Sequence, residues 1–314
     1  MVLGVVSLAV AACGGGGGEG EGSVGGPAPR APQADARAGR PALLALVRDR
    51  AVLLDAAGRV ARALPEDWGE FVRVCPGGRR LVAAPDFGGF VEARTVGGRR
   101  LWRTRMPAAA VQRVGCLDER ARRVAVVRGI DRVKSLRIVT RHSHRGVRRF
   151  AGEVLRLEPR RMYWRDDDRL NVDSLPSGRR LESYTAPKEV YSVSRSPDGL
   201  HLALWAWNDP LSAPVLEYLL DTTTGAVRAI EDAELDLLGW RADGLLIART
   251  PTELVALDSA LQVRERMPGV RAQQVLITGS RILTLNGRAL STVTSDGQRR
   301  IGTVPAQTRL LAAL

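Results

Sequence analysis

Three cysteines and three histidines are the thiol and imidazole groups in a chain of 314 residues, so their spacing decides what they can do. Cys75 and Cys116 each stand just before a turn, Cys75-Pro76-Gly77-Gly78 and Cys116-Leu117-Asp118-Glu119. Two readings stay open for them. A disulfide is chemically permitted outside the cytoplasm, and closing so long a loop would contribute roughly 4 kcal/mol in the loop-entropy model. Two buried thiols are expected instead if the Cα atoms lie beyond the ~7 Å bridging limit. His142 and His144 flank Ser143 and would share one face of a strand, as two metal ligands do. Arg141 and Arg145 beside them repel a cation, no third ligand is evident, and a polar loop is the simpler reading. Asp166-Asp167-Asp168 lies between Arg165 and Arg169 and matches no Ca²⁺-loop spacing, which predicts a solvated turn. Trp205 and Trp207 share a strand face and fit packing between elements better than a ligand platform. The sequence holds no G-x-S-x-G elbow, Walker loop, H-E-x-x-H or C-x-x-C. No catalytic residue, metal or cofactor is therefore expected.

Charge is the other chemical resource. Lysines and arginines number 47 against 34 acids, a formal net charge of +13, and only Lys134 and Lys188 are lysine. Residues 111–150 hold twelve basic side chains and three acids, nine of those thirteen net charges. Arg132, Lys134, Arg137, Arg141, Arg145, Arg148 and Arg149 are the candidate contacts for a polyanion. Anionic lipid headgroups or envelope polymers fit such a field. Nucleic acid does not, because aromatics for base stacking are not interleaved. The plainer reading is a solvated, arginine-rich sheet edge.

Elements of one kind must position these groups. A turn recurs about every forty residues, a period typical of propeller blades. It reads LLDAAGRV at 53–60, RTVGGRRL at 94–101, HSHRGVRR at 142–149 and SLPSGRRL at 174–181, then LLDTTTGAV at 219–227, LDSALQVR at 257–264 and TSDGQRRI at 294–301. Gly58, Gly98, Gly146, Gly178, Gly225 and Gly297 mark six of the seven copies. Short apolar runs between Gly, Asp, Asn and Pro turns predict an all-β fold. The pattern gives a seven-bladed β-propeller of four-stranded antiparallel blades at 42–64 plus 308–314, 71–104, 111–150, 152–184, 190–230, 235–267 and 272–304. The first blade lacks a strand, and the segment 308–314 is expected to supply it and close the ring.

Ser196-Pro197-Asp198-Gly199 follows the first strand of the fifth blade, and degenerate equivalents stand in other blades. On these residues the chain resembles bacterial WD-repeat-like and TolB-type propellers, without the Gly-His and Trp-Asp signature of true WD repeats. The N-terminus adds an address. An apolar run ends in Leu8-Ala9-Val10-Ala11-Ala12-Cys13, which resembles the lipobox of bacterial lipoproteins. The run is too short to span a membrane, which takes about 20 residues. The resemblance implies a signal peptide at 1–12, lipidation of Cys13 and a membrane-anchored, extracytoplasmic protein. Residues 13–40 are rich in Gly, Ala and Pro and read as a tether spanning roughly 30 Å. The propeller occupies 41–314. The expected function is a monomeric, non-catalytic platform for a protein or glycan partner. A propeller hydrolase or lyase with its site at the axial funnel, and an envelope polyanion binder acting through the third blade, are the alternatives.

Overall fold

The structure, a computed structural model, describes Asp35 and residues 38–314 except 86–87, 130–132, 176, 188, 210–211 and 232–233. Side chains at 70, 208–209 and 212–214 are likewise outside the description. The signal-peptide reading of 1–12, Cys13, most of the 13–40 tether and Arg132 therefore fall outside the described residues.

The chain folds into seven four-stranded antiparallel sheets. The fifth is representative, with strands Val190–Arg195, His201–Asp209, Ser212–Asp221 and Val227–Ala229. The first strand of each sheet touches the first strand of the next, and these contacts run unbroken around the molecule. They form the inner wall of a propeller. The last strand, Thr308–Ala313, pairs with Pro41–Val47, with Ala313 opposite Leu43 and Thr308 opposite Val47. It is the inner strand of blade one, and its contact with Val72–Val74 of blade two completes the circle.

Alternation of apolar side chains gives every sheet two buried faces. Among the described residues the core falls into seven clusters, each built from two successive blades. No blade has a core of its own. A short 3-10 turn, Glu66–Phe71, places the fully buried Trp68 between blades one and two, which the strand pattern did not foresee. At the axis the inner strands would leave unpaired edges. Side chains of neighbouring blades cover them. Arg113 Nε donates to Val154 O at 3.2 Å, Arg156 Nη1 to Val193 O at 3.1 Å and Trp240 Nε1 to Ser194 O at 3.1 Å. Gln274 donates to Thr308 O and accepts from Leu310 N–H.

The recurring turn lies between third and fourth strands. In three copies an aspartate accepts the N–H groups of its own turn: Asp55 from Ala57 and Arg59, Asp221 from Thr223 and Thr224, Asp258 from Ala260 and Gln262. The left-handed position is Gly58 at φ 83° and Gly225 at φ 73°. In the copy without glycine, Leu261 takes φ 63°. Gly146 departs from the pattern. It lies inside the outer strand His144–Phe150, beside a register shift, and the turn falls at 141–143.

Ends of the blades are called basal where first strands finish and third strands finish, and upper at the opposite side. Removing residues 308–314 opens the ring and exposes two inter-blade clusters. Such a protein is expected to show no cooperative thermal transition by circular dichroism; a melt within a few degrees of the intact chain's would contradict closure.

Candidate functional site

At the upper end of blades five and six, aromatic and carboxyl groups converge. The inner strand of blade five carries a β-bulge between Val190 and Ser192, so Tyr191 is the extra residue. A bulge re-aims the side chain it inserts. Here Tyr191 stacks on Trp207, ring centroids 4.5 Å apart and planes 24° from parallel. Trp205 and Trp207 share the face toward blade six, as i and i+2 in one strand must. Below the stack, Trp205 Nε1 donates to Leu237 O at 3.0 Å.

Opposite Trp205 in the sheet register sits Glu217, only 7% exposed. Both of its oxygens accept the Leu237 N–H, at 2.9 and 2.7 Å. Burial pushes its carboxyl up to about 8, the Leu237 N–H lowers it in part, and neighbouring Asp236 adds to the rise. At neutral pH Glu217 is a neutral acid that bolts blade five to blade six. Asp236 stands at the upper end of the inner strand of blade six, half-exposed, and pairs with Arg249. Burial, with Glu217 and Asp236 nearby, pushes the Tyr191 hydroxyl up to about 12, so it stays a hydrogen-bond donor. The seam between blades five and six thus offers a half-buried aromatic surface, a phenol, a carboxylate and a guanidinium. That set can stack on an apolar ring face and bond to hydroxyls along its edge.

The six described candidates among the polyanion contacts do not share one environment; Arg132 lies outside the described residues. Lys134 and Arg137 lie on Lys134–Thr140; Lys134 is half-buried, and burial lowers its ammonium below the usual lysine range. Arg137 Nη1 stands 3.2 Å from His144 Nδ1. Arg148 is half-buried and turned inward: its Nη1 donates to the fully buried Asp173 at 2.6 Å, across the boundary between blades three and four. Arg141, Arg145 and Arg149 remain exposed. His142 is exposed and His144 half-buried beside that guanidinium, and among the described residues no three His, Cys, Asp or Glu side chains gather as a metal site. Asp166–Asp168 forms the exposed turn between Arg161–Asp166 and Arg169–Ser174, with Asp167 at φ 50°. Cys75 directly follows the inner strand of blade two, Val72–Val74, and Cys116 ends that of blade three, Val111–Cys116. Their Cα atoms are 5.0 Å apart and their Sγ atoms are bonded.

Glu217, Tyr191, Asp236 and Arg249 escaped the sequence reading. Glu217 left a signal, a lone acid inside the run Val215-Leu216-Glu217-Tyr218-Leu219-Leu220. The aim of Tyr191 left none, because a bulge is set by sheet geometry.

No family model and no curated protein matches the chain. Solved structures do. A putative 6-phosphogluconolactonase from Bacteroides uniformis aligns with a TM-score of 0.51 at 13% identity, over 87% of this chain and all of that one. Hydrazine synthase from Kuenenia stuttgartiensis aligns with a TM-score of 0.50 at 13% identity, over 74% of this chain and 78% of that one. At such identities the likeness is one of fold alone, a β-propeller.

Two measurements check the site and its scaffold. The folded chain keeps the Glu217 proton at pH values where an unfolded glutamate, near 4.5, has lost it. Stability therefore falls as pH rises between those values. Glu217→Gln copies the neutral acid. Its melting temperature should match wild type near pH 5 and exceed it progressively up to about pH 8; parallel profiles would contradict a protonated Glu217. Counting thiols in the denatured, non-reduced chain should find neither Cys75 nor Cys116 free, and Cys75→Ser with Cys116→Ser should cost up to about 4 kcal/mol.

Proposed function

We propose that the chain is an extracytoplasmic lipoprotein of the WD-repeat-like, TolB-type kind, held at the membrane by lipid on Cys13. Its propeller is a monomeric, non-catalytic platform. Its ligand is a glycan, received at the seam between blades five and six. The observation that carries this reading is the Tyr191–Trp207 stack beside the Asp236–Arg249 pair. A sugar ring has C–H groups on its faces and hydroxyls on its rim. The aromatic surface suits the first and the ion pair suits the second. The non-catalytic reading is supported by Glu217. It is the strongest candidate for an acid catalyst by its raised carboxyl, yet it is buried and both oxygens are committed to Leu237 N–H. Such a group, 7% exposed, holds blades together and is shielded from a substrate by burial.

Binding is to be sought on an array of bacterial envelope oligosaccharides, followed by calorimetry with the best ligand. Trp207→Ala is expected to weaken that ligand at least about tenfold, a loss near 1.4 kcal/mol, with the melting temperature little changed. Retained affinity in Trp207→Ala, or turnover of the bound glycan, would contradict the reading.

A further inference from the structure

The tether reaches the propeller at the basal end. Gly39 N–H donates to Asp55 Oδ2 at 2.8 Å, and Pro41 pairs with Asp55 at the foot of blade one. This same end carries an uneven charge. Arg79, Arg99, Arg120, Arg160 and Arg179 stand exposed on the basal turns of blades two to four. The acids among them are mostly committed elsewhere. Asp118 accepts the N–H groups of Arg120, Arg122 and Arg123, and Glu158 takes the Tyr163 hydroxyl and pairs with Arg156. Glu119 is the exposed acid that remains. On the basal turns of blade six the balance is different: Arg241 pairs with Asp243 and Glu265, and Arg264 with Asp258. Two hollows open between the basic turns. One, about 730 Å³, includes Arg123, Arg160 and Arg161 in its lining with Asp118; the other, about 450 Å³, includes Arg79, Arg80 and Arg120, and the two share Pro76 and Glu119. The Cys75–Cys116 bond ties together the turns that carry them.

We infer that the basal face of blades two to four docks on an anionic lipid surface, with headgroup phosphates seated in the two hollows. Charge complementarity supports it, since each arginine near such a surface adds about 1 kcal/mol. The point of tether attachment adds to it, resting on the proposed lipid anchor at Cys13, because residues 1–34 join the described chain at this end. The consequence is an orientation. The seam between blades five and six lies at the upper end and faces away from the bilayer. The inference goes beyond the glycan reading and does not need it, since the basal face shares no residue with the seam.

The test uses the full chain with Cys13→Ser, so that no lipid is attached, and vesicles of phosphatidylcholine with or without about 30% phosphatidylglycerol. Sedimentation at about 50 mM salt should show binding to the anionic vesicles alone, falling steeply as salt rises. Changing Arg79, Arg120, Arg160 and Arg179 together to Glu should lower partitioning more than a hundredfold, with an unchanged melt. Arg145→Glu with Arg149→Glu, on the outer strand of blade three, should leave it unaltered. Absence of binding, equal loss in the outer-strand variant, or full displacement by soluble polyglutamate of matched charge would overturn the assignment. The last result would make an acidic chain the ligand. Glycan binding measured on the same basal variant should persist, which separates failure of this inference from failure of the glycan reading.

Discussion

The pairing of Thr308–Ala313 with Pro41–Val47 is the interaction on which the rest of the molecule depends. A blade is a sheet with two apolar faces, and water cannot be allowed on either. Each face is covered only by the next blade, and the seven inter-blade clusters are the whole described core. A ring is the arrangement in which every face has a neighbour and no long edge is left open. Joining the two ends of the chain inside one sheet makes the ring a single cooperative object. The edge-covering bonds from Arg113, Arg156, Trp240 and Gln274 then fix the inner strands against one another.

Arginine does two kinds of work here, and the net charge mixes them. Some guanidinium groups are internal fasteners. Asp173, fully buried, receives Arg148, Arg180 and the indole of Trp164; Glu92, also fully buried, receives Arg94 and Arg103. Arg128, 3% exposed, holds the carbonyls of Gly88, Pro107 and Ala109 and so ties the upper loops of blades two and three. A planar fork with five donors suits such sites where lysine would not. Removing one partner from these buried pairs leaves a stranded charge. Among the arginines left for a surface role are Arg79, Arg99, Arg120, Arg160 and Arg179, on exposed turns at the base of blades two to four. The basic character of the third blade is thus divided between an inner brace and a basal face.

Much of the architecture was legible in the chain. Blade register, the closing strand and the shared position of Cys75 and Cys116 follow from turn residues and a period, because turns are local chemistry. The aspartates at 55, 221 and 258 even name the groups that bind their own turns. The seam between blades five and six was not legible. Tyr191 meets Trp207 through a bulge, and Asp236 meets Glu217 across two blades, neither of which leaves a mark in local spacing. For a related reason the charge pattern did not separate bracing arginines from exposed ones. Arg148 looks like its neighbours in sequence, but strand alternation points it at Asp173. Gly146 shows the limit of motif matching, since its place in the repeat is right and its backbone role differs.

In the proposed orientation the propeller is a two-faced body, with its basal turns toward the membrane and the aromatic seam of blades five and six away from it. The most direct test places one spin label at each face of the full lipidated chain on anionic vesicles. Ser177 is exposed on a basal turn of blade four, and Thr185 is exposed at the upper end of its outer strand. With a nickel-chelating lipid in the vesicles, the label at Ser177→Cys is predicted to relax fast and the label at Thr185→Cys to relax as it does without nickel. Equal relaxation at the two positions, or the reverse order, would contradict the orientation.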